Sequence, residues 1–285
     1  MYGGPTSVAT RLIPANAVIP IADLFIHPGV TDKSLWYAGK HYYSDPQQQF
    51  HFAFAAAAGP ENMGMHYNTD LVSQEDIDAM SSVFDFLDPK WKGKIVAHPP
   101  VGGGSSGTYY KAFVHPDIGT EWIDGFLSPE LDVTFSPDER FIVDGVANGK
   151  FHMAVAAGGL QDLEALETLG APVKELVKEF KEGGDLAATS STHNVAVPIN
   201  QPHPNAAKLW INWWLSKEGQ TQMHMLAEVL AEPTLRADVT EWGKTNPASR
   251  RVEGKSYFFF GTDPEYVVLR QEANDYATAV YEATR

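Results

Sequence analysis

The chain contains no cysteine. Disulfides, thiolate metal sites and cysteine nucleophiles are therefore excluded. Positive charge is also scarce: 21 Lys and Arg stand against 36 Asp and Glu, for a net charge of −15. No basic run occurs anywhere. Nucleic acids and anionic membrane surfaces are held by clustered Lys and Arg, so neither is expected as a partner. No apolar run approaches the roughly 20 residues of a membrane span. The opening residues, Met1-Tyr-Gly-Gly-Pro-Thr-Ser7, have neither a charged n-region nor an apolar h-region, so no signal peptide is expected there. The ten histidines include no pair at the spacing of a helical metal site. No metal and no cofactor is expected.

What is present is an ordinary globular balance, 44% apolar and 20% charged over 285 residues, enough for one large domain or two lobes. The stretch Lys94 to Phe113 organises the rest. Ile95, Val96 and Ala97 read as a short buried strand, ended by Pro99 and Pro100. Gly102, Gly103 and Gly104 follow, and then Ser105, Ser106, Gly107 and Thr108 where a helix begins. A helix start presents unpaired N–H groups and a positive dipole end. Strand, Gly/Ser turn and helix start form a cradle for an anion or polar ligand. A capped helix after a flexible turn fits the same residues. Gly103 to Gly107 also matches G-x-S-x-G, which would make Ser105 the nucleophile of a serine hydrolase. Pro99, Pro100 and Gly102 interrupt the sharp strand-to-helix turn such an enzyme needs, and nothing marks His193, His203 or His224 as a base.

Residues 94–170 read strand, helix, strand, helix, strand, helix, the order of an α/β layer structure. Phe50, Phe52 and Phe54 alternate in a strand, and residues 63–67 form another. Gly119 to Leu127 is an amphipathic helix with Trp122, Ile123, Phe126 and Leu127 inward. Ser136, Pro137 and Glu139 predict a helix capped by Ser136, and Thr6 or Ser7 predicts a cap for a short helix through Leu12. A helix over 205–216 is predicted to bury Leu209, Trp210, Trp213 and Trp214. Asp263 is predicted to cap the last helix. The pair Tyr109 and Tyr110 reads as core packing.

Leu87-Asp-Pro-Lys-Trp-Lys-Gly-Lys-Ile-Val96 resembles a signature of the extracellular solute-binding proteins of ABC importers, in the iron/thiamine-like branch of the type II periplasmic fold. Tyr67-Asn-Thr-Asp-Leu71, Val133 to Val155, Lys181-Glu-Gly-Gly184, and Pro202 to Lys208 with Trp213 to Gln220 agree with it in order. The resemblance implies two α/β lobes joined by crossing strands: residues 1–69 and 192–285 as lobe 1, and 70–191 as lobe 2. It implies a non-enzymatic protein that closes on a small polar or anionic solute and delivers it to a membrane permease, in the periplasm or outside the cell. Contacts are then expected from Thr6, Ser7, Gly104, Ser105, Ser106, Gly107, Thr108, Gly158, Gly159, Ser191, Thr192, His193 and Asn194. Ferric-binding relatives place adjacent tyrosines where this chain has Ala156-Ala-Gly-Gly159, which argues against iron.

Such relatives also carry two strand–helix units before the place that Tyr2 occupies. Lobe 1 is therefore expected to be N-terminally truncated, with a homodimer through that lobe or a homologue that binds nothing as the consequences. Sedimentation velocity at micromolar concentration reads the first: a dimer is expected, and a clean monomer would count against it.

Overall fold

The structure is a computed structural model. It describes residues 4–58, 65–101, 106–157, 160–176, 178, 180–182, 186–188, 193–226, 233–243, 250–252 and 257–285. The chain divides into two compact units, Met1–Gly59 with Asp185–Leu269 and Pro60–Gly184 with Arg270–Arg285. The opening segment of the first unit holds α1 (Pro5–Ser7), β1 (Val18–Ile19), α2 (Pro28–Thr31), β2 (Tyr42–Tyr43), β3 (Phe52–Ala53) and β4 (Ala57–Ala58). The second unit holds β5 (His66–Asn68), α3 (Gln74–Ala79), β6 (Ile95–Ala97), α4 (Ser106–Val114), α5 (Gly119–Leu127), β7 (Thr134–Phe135), α6 (Glu139–Ala147), β8 (Met153–Ala154), α7 (Leu160–Thr168) and β9 (Val173–Glu175). The first unit resumes with β10 (Leu186–Ala188), β11 (Asn194–Val195), β12 (Val197–Pro198), α8 (Pro204–Trp214), α9 (Lys217–Leu226), β13 (Phe258–Phe259) and α10 (Pro264–Val267). The last helix, α11 (Arg270–Ala283), belongs to the second unit.

The second unit is a mixed α/β layer structure. Its sheet has the order β7-β6-β8-β5-β9, with β6 parallel to both β7 and β8. Strand β6 is apolar at every position because both faces are covered. Ile95 and Ala97 join the cluster of Trp122 and Phe126, while Val96 packs with Ile142, Val143 and Val146 on the other face. Helix α5 has the predicted bounds and buries the four predicted side chains completely. Trp122 stacks on Phe126 at 4.7 Å and donates its Nε1 hydrogen to Val83 O at 2.9 Å. Helix α6 starts two residues later than predicted. Its cap is Asp138, whose carboxylate accepts from the N–H groups of Arg140 and Phe141, because a carboxylate there also answers the helix dipole. Gly149, at φ +73°, ends that helix in the left-handed conformation that glycine adopts without strain.

The family resemblance assigns residues 192–285 to the first lobe, but α11 packs in the second unit. Tyr276 donates its hydroxyl hydrogen to Asp124 at 2.7 Å, Tyr281 meets Phe135 at 5.2 Å, and Ala277 lies in the core beside α4 and α5. Asp263 does cap a helix, the short α10, and the chain then restarts as α11 at Arg270.

In the first unit, β3 lies between β11 and β2, all antiparallel, over a core of Trp36, Phe52, Phe54, Val195, Ile211 and Leu215. The predicted face of α8 is rotated. Leu209, Trp210 and Trp213 are 73%, 46% and 43% exposed, whereas Ile211 and Asn212 are buried. Asn212 decides this: its Oδ1 accepts from Ile26 N and His27 N, and its amide donates to Leu24 O and Lys208 O. Four hydrogen bonds on a buried amide outweigh the area two indoles would bury. No helix among the described residues is long and apolar enough to cross a membrane.

His66 sits in β5 between Ala154 and Glu175, fully buried, with no hydrogen-bond partner for either ring nitrogen among the described residues. Burial pushes its pKa down to about 4 from 6.5. The neutral ring therefore supports the fold above pH 6.5, and that support is lost as pH falls from 6.5 through about 4. The loss amounts to about 3 kcal/mol for such a shift. Urea unfolding from pH 7 to pH 4 is expected to show a flatter pH dependence in His66→Phe than in the wild type.

Candidate functional site

Three parallel strands, β6, β7 and β8, end at one edge of the second unit's sheet. In chain order each is followed by a helix start: α4 after β6, α6 after β7 and α7 after β8. In open α/β sheets this carboxyl edge is where ligands bind. Ser106, Gly107 and Thr108 form the first turn of α4, where unpaired N–H groups point outward. A Cβ added to Gly107 would meet nothing within 4 Å, so the helix start there borders open space. Thr108 is 7% exposed.

The edge is held by backbone bonds. Tyr109, fully buried, donates its hydroxyl hydrogen to His98 O at 2.8 Å. Burial pushes the Tyr109 phenol far up, so it stays a protonated donor. His98 N donates to Ala156 O at 3.2 Å, and Ser136 N donates to Ala97 O at 3.0 Å. Ala156 is buried with φ +54°, the left-handed region, which costs a non-glycine residue about 1 kcal/mol.

His98 escapes the sequence pattern. It follows the buried strand directly and is 2% exposed. Its Nε2 has no hydrogen-bond partner among the described residues and lies 3.9 Å from Glu139 Oε1. A polar residue between an apolar strand and Pro99 was the only signal. Arg140, in the first turn of α6, is exposed in a hollow it shares with Asp144 and Asp162.

The remaining predicted contacts divide as follows. Gly104, Ser105, Gly158, Gly159, Ser191 and Thr192 lie outside the described residues. Thr6 and Ser7 belong to α1, which continues as a π-helical turn, Val8–Leu12. The predicted cap there is absent: Ser7 has helical backbone angles and makes no side-chain cap bond, because the helix is already under way. His193 and Asn194 are both 4% exposed. His193 O accepts from Phe54 N at 3.0 Å, and Asn194 pairs with Ala53. Val8 packs with Ala196, which brings these two segments of the first unit onto neighbouring elements. Tyr109 and Tyr110 are core residues, as their pattern predicts. Among the described residues, no group of three His, Cys, Asp or Glu side chains is placed to hold a metal.

The second unit is thus an α/β sheet whose carboxyl edge gathers three helix starts. The solved structures agree on the fold. Iron-bound HitA from Pseudomonas aeruginosa is 18% identical, with a TM-score of 0.61 over 95% of this chain and 78% of HitA. IdiA (FutA) from Trichodesmium, in complex with iron and citrate, is 18% identical, with a TM-score of 0.60 over 98% and 80%. AfuA from Actinobacillus pleuropneumoniae, with fructose-6-phosphate bound, is 16% identical, with a TM-score of 0.55 over 99% and 80%. No curated protein sequence matches the chain. Residues 4–251 match the family described as bacterial extracellular solute-binding protein, and the chain belongs to that family. The serine-hydrolase alternative on Ser105 draws no support from it.

Tyr109→Phe tests the clamp on this edge. It leaves the buried His98 carbonyl without its hydroxyl donor and is expected to cost about 1–2 kcal/mol. Urea unfolding measures this; an unchanged midpoint would contradict the role assigned to the bond.

Proposed function

We propose that this chain captures a small polar or anionic solute without chemistry and presents it to the membrane permease of an ABC importer. Each unit supplies its own contacts. In the second, these are Ser105, Ser106, Gly107 and Thr108 at the start of α4, Gly158 and Gly159 after β8, and His98. In the first, they are Thr6 and Ser7 with Ser191, Thr192, His193 and Asn194. The observation that carries this reading is the shared carboxyl edge of β6, β7 and β8, each strand feeding a helix start. Hydroxyls and N–H groups suit oxyanions, carboxylates and polyols better than greasy solutes. The sugar phosphate named with AfuA is a solute of that class. Iron suits the edge less well, since Ala156 and Ala157 are buried alanines with no phenolate to offer.

The test is a thermal-shift screen over carboxylates, phosphate esters, sulfate, amino acids and ferric citrate. A solute at a hundredfold excess over its Kd stabilises the folded state by about 2.7 kcal/mol, which raises Tm by several degrees. The double variant Ser105→Ala, Ser106→Ala is expected to abolish the shift. A shift that survives intact would move the site elsewhere.

A further inference from the structure

The first unit carries a half-open pocket of about 470 Å³ that none of the predicted contacts lines. That volume is in the range of small-molecule sites. It lies between the turn after β1, strand β2, and the passage from β13 into α10. Phe25, Tyr42, Tyr43 and Phe259 make its walls. These rings are locked by one another: Tyr42 meets Phe259 at 5.0 Å, and Phe25 and Tyr43 both meet the buried Phe52, at 5.1 and 5.3 Å. A wall of fixed rings is a platform for a flat ligand, because little side-chain entropy is lost when one stacks there.

The polar groups are unequal in sign. Lys33 and Lys40 line the cavity, and Lys40 Nζ stands 4.7 Å from the centroid of the Tyr42 ring. One carboxylate, Asp263, also lines it, but Asp263 Oδ1 is engaged as the cap of α10, accepting from Glu265 N at 3.2 Å. His41 is held neutral by burial, and its Nε2 donates to Val30 O at 2.9 Å. The phenols of Tyr42 and Tyr43 are pushed up by burial and stay protonated. Thr262 is 1% exposed, and its hydroxyl has no partner among the described residues. A buried hydroxyl left unpaired destabilises the fold, and a ligand oxygen would relieve that cost.

We propose that this cavity is a second ligand site, for a small aromatic carboxylate: the ring between the aromatic walls, the carboxylate toward the lysines and the Thr262 hydroxyl. Two ammonium groups against one capping carboxylate match a monoanion. A doubly charged phosphate would leave a surplus of negative charge in a chain that already carries −15.

Benzoate is the probe, titrated into the full chain by calorimetry and by amide NMR. Benzoate is expected to bind one to one, with amide shifts around Tyr42, Tyr43 and Thr262. Benzamide, which lacks the charge, and inorganic phosphate, which lacks the ring, are expected to bind roughly tenfold more weakly or not at all. Lys33→Gln with Lys40→Gln is expected to weaken benzoate by roughly tenfold, and Thr262→Val by several-fold. Both lysines are exposed, so their variant reads the site even where Thr262→Val fails to fold. The Ser105→Ala, Ser106→Ala chain is expected to keep full benzoate affinity. Lost binding there would assign benzoate to the solute site and overturn the cavity proposal alone. No binding at millimolar benzoate, equal binding of benzamide, or undiminished affinity in the double lysine variant would each overturn it.

Discussion

A strand buried on both faces must dispose of its backbone polar groups where it ends, since no water is there to take them. Strand β6 meets this demand with three bonds. The Ala97 carbonyl takes Ser136 N–H, the His98 N–H goes to Ala156 O, and the His98 carbonyl takes the Tyr109 hydroxyl. The first ties β6 to the loop after β7, the second to the residues after β8, and the third to its own following helix. The positions from which all three loops depart are thereby set by one strand end. A ligand edge needs that rigidity, because short neutral contacts tolerate little misplacement. The left-handed Ala156 sits among these bonds and is held by them.

Much of the second unit was legible in the sequence, for a local reason. Strands and helices follow one another in chain order there, and each carries its own apolar period. Helix α5 is the clearest case, with Trp122, Ile123, Phe126 and Leu127 both apolar and inward. The first turn of α4 was legible likewise, since Gly, Ser and Thr before Tyr109 announce a helix start. Two of the differences share a cause: a long-range partner overrides a local pattern. Trp210 and Trp213 look inward by hydropathy, yet Asn212 faces the body to bond residues almost two hundred positions away. α11 follows the first unit in sequence but packs with the second through Tyr276, Ala277 and Tyr281. Ser136 matches a cap motif, but Asp138 lies nearer the apolar run that starts at Ile142. His98 stayed hidden because histidine at a strand end has no period or spacing to betray it.

Electrostatics decides how such a protein can hold an anion at all. With a net charge of −15 the long-range field repels anions, so capture is not driven by steering. At physiological salt that field is screened beyond about 8 Å. What acts inside that distance is local: N–H groups at a helix start and hydroxyls. These are neutral donors that oblige no counter-charge to be buried, whereas a buried lysine would lose its hydration and need a partner. The second unit follows this logic, since its candidate contacts are hydroxyls, amides and glycine backbone around α4. Affinity of this kind depends on how accurately many weak donors converge. Under the proposed reading it is therefore the fixed strand edge, not the charge of the surface, that sets how well a solute is held.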